Sequence, residues 1–357
     1  MTELDAKLAR VRSALQRHEL AAVRFRGTDW FSWATCGGSN AVLLTTDVGV
    51  AEVLVTGDGA WVMTDVIEAG RLAAEEIPTG LPVHATPWER PAEREAFVHE
   101  RASGGAIASD RPVDGERPLP RSLVRAPLLE VELERYRCLG RDAAEAMTEL
   151  LTAARPDWTG LRVAGVASEL LWFRGIHPAL VLVGDARRVR AHRHPTAADV
   201  PLGDRAMVVF CARRRGLFAN LTRWVSFRAE TVAERALGAD VAAVEAAALT
   251  ASRPAAALAD VLGTITAAYA ARGHAGAERL HHQGGSCGYL SRDAVARPGV
   301  PTRLADRDAV AWNPSLPGAK IEDTFAVDAA GVEVLTVDPR WPTFDVNGRP
   351  RPAVLVR

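Results

Sequence analysis

The sequence predicts an α/β chain of the α+β kind, built in two parts, and three observations carry that reading. Helical-period runs and short apolar strand runs alternate up to about residue 117. Arg117-Pro118-Leu119-Pro120 then interrupts the alternation as a linker. Beyond it, pairs of helical segments are separated by strand segments. We place the first domain at residues 1–125 and the second at residues 126–357.

Each element follows from local pattern. Leu4, Leu8, Val11 and Leu15 recur at helical spacing and predict a helix ending near His18. Ala21–Phe25 is a short strand. Ala41–Thr46, Val50–Val55 and Gly59–Thr64 also read as strands, apolar and bounded by Gly, Asp and Thr. The last of these leads into Ile67–Leu72. In the second part Glu130–Arg155 is helical, and Pro156-Asp157-Trp158-Thr159-Gly160 breaks it. Thr159 is the expected N-cap of a helix reaching Phe173. Strands are expected at Leu180–Val183, Ala206–Cys211 and Leu217–Phe227. A helical pair follows from Ala233 to Ala271, broken near Pro254, and strand character returns around Gly284, Ala309 and Ile321.

Composition sets bounds. At 357 residues and 48% hydrophobic content the chain can bury one large core or two smaller ones. A formal charge of -1 provides no bulk field for nucleic acid or anionic membrane, and no apolar run has the length of a membrane span. Arg213-Arg214-Arg215 is read as a solvated hairpin turn before Gly216 rather than a phosphate patch. Cys36, Cys138, Cys211 and Cys287 lie far apart, without zinc or disulfide spacing, and are expected as reduced thiols. Met1-Thr2-Glu3-Leu4-Asp5 has no signal-peptide pattern, so the expected location is cytoplasmic. Arginine greatly outnumbers lysine, with only Lys7 and Lys320 present, a bias we attribute to genome composition.

The most informative stretch is Lys320-Ile321-Glu322-Asp323-Thr324. Upstream lie Trp312-Asn313-Pro314, Asn220-Leu221-Thr222-Arg223, Gly203-Asp204, Ala191-His192-Arg193-His194-Pro195-Thr196 and Leu280-His281-His282-Gln283-Gly284-Gly285-Ser286-Cys287-Gly288. In this order the segments resemble the creatinase, aminopeptidase P and methionine aminopeptidase superfamily, over roughly residues 1 to 340. The resemblance implies a creatinase-type N-terminal domain followed by a pita-bread domain, with a curved, mainly antiparallel sheet flanked by helices. It also implies a homodimer, with Trp30-Phe31-Ser32-Trp33 the segment expected to reach over the partner's cleft.

Peptidases of that family hold two metals with two Asp, one His and two Glu. Carried over position by position, those slots hold Val209, Asn220, Gly285, Asn313 and Glu322, although a shift of one or two residues would bring His282 toward the histidine slot. One carboxylate cannot hold two hard cations and generate hydroxide between them. We therefore expect no metal and no cofactor, and an ordinary Xaa-Pro metalloaminopeptidase is the least favoured reading.

The resemblance makes His192 the expected proton shuttle, an imidazole being suited to the task near neutral pH. Glu322 is expected on the cavity floor, buried against Arg223, in a pair that is either structural or functional. One of His281 and His282 faces the cavity, His281 being the more readily explained as a core histidine. Asn220, Asn313, Thr222 and Tyr289 complete the expected binding set, with His282 and Arg223. Thr222 and Asn313 are neutral where creatinase carries acids, so an uncharged or zwitterionic ligand suits the site better than a cationic one. Two functions stay open: a metal-independent hydrolase or lyase of a small amino-acid- or peptide-derived molecule, and an inactive pseudopeptidase that binds or scaffolds. The expected partner is a small-molecule or short-peptide ligand, with neither nucleic acid nor membrane.

Overall fold

A computed structural model describes residues 1–119 and 127–357. The chain forms two compact units, Met1–Ala126 and Pro127–Arg357. The boundary expected at residues 125 and 126, and Pro120 of the expected linker, lie outside the described residues.

The first unit opens with α1 (Glu3–Arg17), whose Thr2 cap and Asp5 exchange hydrogen bonds in a capping box. Leu4, Val11 and Leu15 are buried along the face that the spacing marks. There follow β1 (Ala22–Gly27), α2 (Thr28–Ala34), β2 (Val48–Thr56), β3 (Ala60–Asp65), α3 (Ala69–Glu75), β4 (Val83–Thr86), α4 (Pro91–Arg101), β5 (Ile107–Ser109) and β6 (Arg117–Pro118). The six strands form one mixed sheet in the order β4-β3-β2-β1-β5-β6.

Three expectations are corrected here. Ala41–Thr46 is not a strand, and Val42, Leu43 and Leu44 are exposed. An apolar run becomes a strand only beside a partner, and β2 takes the place next to β1. Trp30 and Trp33 do not reach outward. They lie buried in α2, Trp30 stacked on Phe25 at 5.2 Å and Trp33 edge-on to Trp30 at 5.8 Å. Arg117-Pro118 is not linker but an edge strand, where a missing proline N–H is tolerated.

The second unit contains α5 (Glu130–Ala153), α6 (Gly160–Trp172), β7 (His177–Asp185), α7 (Ala186–Ala191), β8 (Arg205–Arg214), β9 (Leu217–Ser226), α8 (Val232–Ala251), α9 (Leu258–Ala271), β10 (Gly284–Cys287), β11 (Ala294–Val295) and β12 (Ala309–Trp312). It continues with β13 (Ser315–Leu316), β14 (Ala319–Lys320), β15 (Asp323–Asp328), β16 (Gly331–Val334), β17 (Thr343–Val346), β18 (Arg349–Pro352) and β19 (Leu355–Val356). Thr159 caps α6 by accepting from the Arg162 amide, and Thr231 with Glu234 forms a capping box on α8. Arg215-Gly216 closes the β8–β9 hairpin with both residues at positive φ. No helix among the described residues is long and apolar enough to cross a membrane.

Two sheets, β19-β9-β8-β7 and β11-β10-β12-β15-β16, meet along β9 and β15. At that seam the Thr222 amide donates to the Glu322 carbonyl at 2.9 Å. The Thr324 hydroxyl donates to the Asn220 carbonyl at 3.0 Å and accepts from the Asn220 amide at 2.7 Å. Helices α8 and α9 cover one side, over a core that includes Val244, Leu249, Ile265, Trp312 and Phe325.

Side chains alternate across this seam. Arg223 and Asp323 point to one side, where Asp323 also meets Arg351, itself paired with Glu245 of α8. Thr222 and Glu322 point to the other side, and Asn220 shares their face through the strand period of two. That face is the candidate site.

Candidate functional site

Glu322 is buried, and its carboxylate is clamped by three groups. The Arg292 guanidinium lies 2.7 Å from Oε1, and the Lys320 ammonium lies 2.9 Å from Oε2. The Thr222 hydroxyl donates to Oε2 at 3.1 Å. Burial alone would raise the carboxyl pKa, but Lys320 and Arg292 together bring it down to about 2. One carboxylate against two cations leaves a surplus of one positive charge.

Beside this clamp stands a rim of three imidazoles. His194, His281 and His282 each offer a ring nitrogen within 4.8 Å of the others. His194 Nε2 and His281 Nε2 are 3.0 Å apart, and Ser315 Oγ lies 3.5 Å from His281 Nδ1. Burial, with the Lys320 charge added, pushes His281 down to about 3. Burial also shifts the more exposed His194 and His282 downward, the first helped by Lys320 and the second by Arg292. All three are neutral near pH 7, able to hydrogen-bond or to offer a lone pair to a cation. Burial pushes Cys211 and Cys287 up to about 12, so neither is a thiolate nucleophile.

Of the residues expected from sequence, Glu322 and Thr222 are in direct contact and His282 stands beside them. Asn220 and Asn313 are both buried, and each has a side-chain oxygen with no hydrogen-bond partner. The Asn220 amide nitrogen donates to the Ser291 carbonyl at 3.4 Å.

Other expectations are corrected. Arg223 is not the partner of the Glu322 carboxylate; its guanidinium pairs with Asp323 at 2.8 Å on the opposite side of the strand. Adjacent residues of a strand point apart, so Arg223 cannot follow Thr222 into the site. The Tyr289 hydroxyl is committed to Glu132 of α5 at 2.6 Å. His192 ends α7 as an exposed cap residue, and His194, two positions on, joins the rim instead. His281 is buried but is not only a core residue. Its ring lies 4.6 Å from that of His282, because the pair precedes β10 and does not follow strand alternation. Trp312 is a packing residue, its indole donating to Ser252.

Sequence reasoning missed Lys320, Arg292 and His194. For Lys320 a signal existed: it is one of two lysines and stands two residues before Glu322 in extended chain, hence on the same side. Arg292 lies in the irregular link between β10 and β11, where nothing local announces it.

Gly285, the position matched to the histidine slot, has φ +155°, and a Cβ there would lie 2.0 Å from the Ala294 carbonyl oxygen. Gly284 is equally confined, at φ +111° and 2.1 Å from the Ala311 oxygen. Val209 belongs to an apolar cluster with Leu182, Val189, Met207 and Trp224. A cavity of about 330 Å³ lies against α8 and the β17–β18 hairpin, lined by Glu234, Arg235, Val241, Phe344 and Val354; it touches Arg223, Thr222 and Lys320, but Glu322, Arg292, the imidazoles and the two asparagines do not line it.

This architecture is a pita-bread fold, shared with solved dipeptidases, prolidases and an X-Pro aminopeptidase. The dipeptidase PepE from Mycobacterium ulcerans is similar over 99% of this chain and 97% of its own, at 17% identity and a TM-score of 0.76. The prolidase from Pyrococcus horikoshii OT3 covers 94% of this chain and 99% of its own, at 17% identity and a TM-score of 0.77. The X-Pro aminopeptidase from Thermotoga maritima MSB8 covers 98% and 99%, at 15% identity and a TM-score of 0.77. At these identities the likeness is one of fold. No family model and no curated protein matches the chain.

Proposed function

We propose that this chain is a hydrolase or lyase of a small amino-acid- or peptide-derived molecule, working without a dinuclear metal centre. The observation that carries the proposal is the Glu322 clamp. Lys320 and Arg292 supply positive charge directly on the one carboxylate that the resemblance matches to a metal ligand.

The other slots do not fit two metal ions. Asn220 and Asn313 are neutral, Val209 has no donor atom, and Gly285 leaves no room for a side chain. The remaining groups suit a zwitterion. The surplus positive charge of the clamp attracts a carboxylate or a developing oxyanion. The unpartnered oxygens of Asn220 and Asn313 call for a donor such as an amine, since buried acceptors without one cost about 1–3 kcal/mol each. The imidazole rim adds neutral hydrogen-bonding groups beside the clamp. The named activities of the similar solved structures agree with an amino-acid or peptide origin for the substrate.

A second reading is favoured by the same clamp: with its charges largely satisfied internally, the site binds and does not catalyse. A thermal-shift screen of chelator-treated protein against amino acids, dipeptides and their derivatives separates the two. The expected result is a stabilising zwitterion, lost in Lys320→Met, that is turned over with or without chelator. Binding without turnover selects the second reading. Turnover only with added metal overturns the proposal.

A further inference from the structure

We propose that His194, His281 and His282 together form a mononuclear site for a divalent transition-metal ion of the zinc or cobalt type. This goes beyond the reading above, because the donor set is three imidazoles and uses none of Val209, Asn220, Gly285, Asn313 and Glu322; His282 is the one member that a shifted register would bring toward a dinuclear ligand position.

The geometry is that of a chelating trio. Nitrogens bound to one zinc at about 2.1 Å in tetrahedral array lie roughly 3.4 Å apart. His194 Nε2 and His281 Nε2 are 3.0 Å apart, and the set of three closes within 4.8 Å. The ring centroids of His194 and His281 are 4.8 Å apart, those of His194 and His282 6.2 Å.

The backbone carrying these rings is held from several directions. The Gln283 side chain donates to the carbonyls of His281 and Glu278, at 2.6 and 3.2 Å. The residue after His194, Pro195, accepts from the Val183 amide of β7 at 3.0 Å. Ser315 Oγ faces the far nitrogen of His281, the place of the outer-shell partner that fixes a ligand's tautomer. Imidazole is a donor suited to zinc, cobalt and copper and poorly suited to magnesium or calcium.

Charge sets a limit on affinity. Lys320 and Arg292 both act on this rim, and Glu322 offsets only one of them. The surplus positive charge opposes a bare cation and favours one that carries an anion in its open position. A bound ion would take the lone pair that now serves the His194–His281 hydrogen bond, so the ion replaces that bond.

The test is a titration of the chelator-stripped full chain with zinc against a chromophoric chelator, repeated with cobalt and read by its visible absorption. One equivalent is expected. His194→Ala and His282→Ala should each weaken binding at least tenfold, since loss of an outer-shell partner alone costs about 10–100-fold. His99→Ala, on α4, should leave it unchanged. His281 is buried, so the two more exposed positions keep the test decisive if His281→Ala does not fold. Far-UV circular dichroism confirms that the variants compared are folded. No saturable binding, or binding unmoved by both His194→Ala and His282→Ala, overturns the proposal. Neither readout depends on turnover, so this outcome is independent of the enzymatic reading.

Discussion

Lys320 and Glu322 lie two residues apart in extended chain, with Nζ 2.9 Å from Oε2, both side chains almost wholly buried. The carboxylate therefore has its counter-charge built in by the strand itself, with Arg292 completing the pair from a neighbouring loop.

Removing the carboxylate strands two buried cations. Glu322→Gln should destabilise the second unit by about 3–5 kcal/mol, the usual cost of breaking a buried pair. Adding Lys320→Met should recover part of that loss. Denaturant unfolding measures both, and a change below about 1 kcal/mol for the single variant would be inconsistent with the clamp.

The arginine beside Thr222 belongs to a different circuit. A double-mutant cycle between Arg223 and Asp323, which are 2.8 Å apart, should show strong coupling in stability. Replacing the Glu322 side chain together with Arg223 should give near-additive losses. Ligand affinity should respond to Glu322 and Lys320 but not to conservative change at Arg223.

Acid sensitivity follows from the depressed carboxyl. The folded pKa of Glu322 is about 2 against an ordinary 4.5, so the folded state binds fewer protons than the unfolded one between these values. The contribution is complete above about pH 4.5 and disappears as pH falls toward 2. Wild type should lose more stability than Glu322→Gln across that window, measured by unfolding at a series of pH values. Parallel profiles would contradict the assignment.

Gly285 is fixed by its backbone and by its neighbour. Gly285→Ala places a Cβ 2.0 Å from the Ala294 oxygen at φ +155°, so β10 and β11 must part. We expect a loss above about 1 kcal/mol, the entropy term alone being of the opposite sign and smaller. Gly285→His should not fold into this sheet, and an unchanged melting temperature for either variant would refute the close approach.

Much of the fold was legible because its signals are local. The spacing of Leu4, Val11 and Leu15 marks α1, Thr159 caps α6 as expected, and a hairpin turns at Arg215-Gly216, although Arg213 and Arg214 are strand residues. Glu322 and Thr222, singled out from their motifs, do lie in contact. What the sequence hid depends on partners distant in the chain. Val42–Leu44 have strand composition but no neighbour to pair with, and Tyr289 meets Glu132 across 157 residues. Arg223 and Glu322 looked like natural partners by charge, but strand alternation assigns Arg223 to Asp323. His194 was overlooked beside His192, since which of them joins the rim depends on the turn after α7 rather than on residue type.

Both lysines of the chain are enclosed. Lys7 is held by Glu3 and the Trp33 carbonyl, each at 2.7 Å, as firmly as Lys320 is held by Glu322. The folded surface thus offers amine-reactive reagents no open lysine, and acylation of either side chain must wait for its own unit to open. Tryptic mapping of the two modified sites over time would then act as a paired clock. Lys7 would time the breathing of the first unit and Lys320 that of the second, with a ligand in the clamp slowing only the latter.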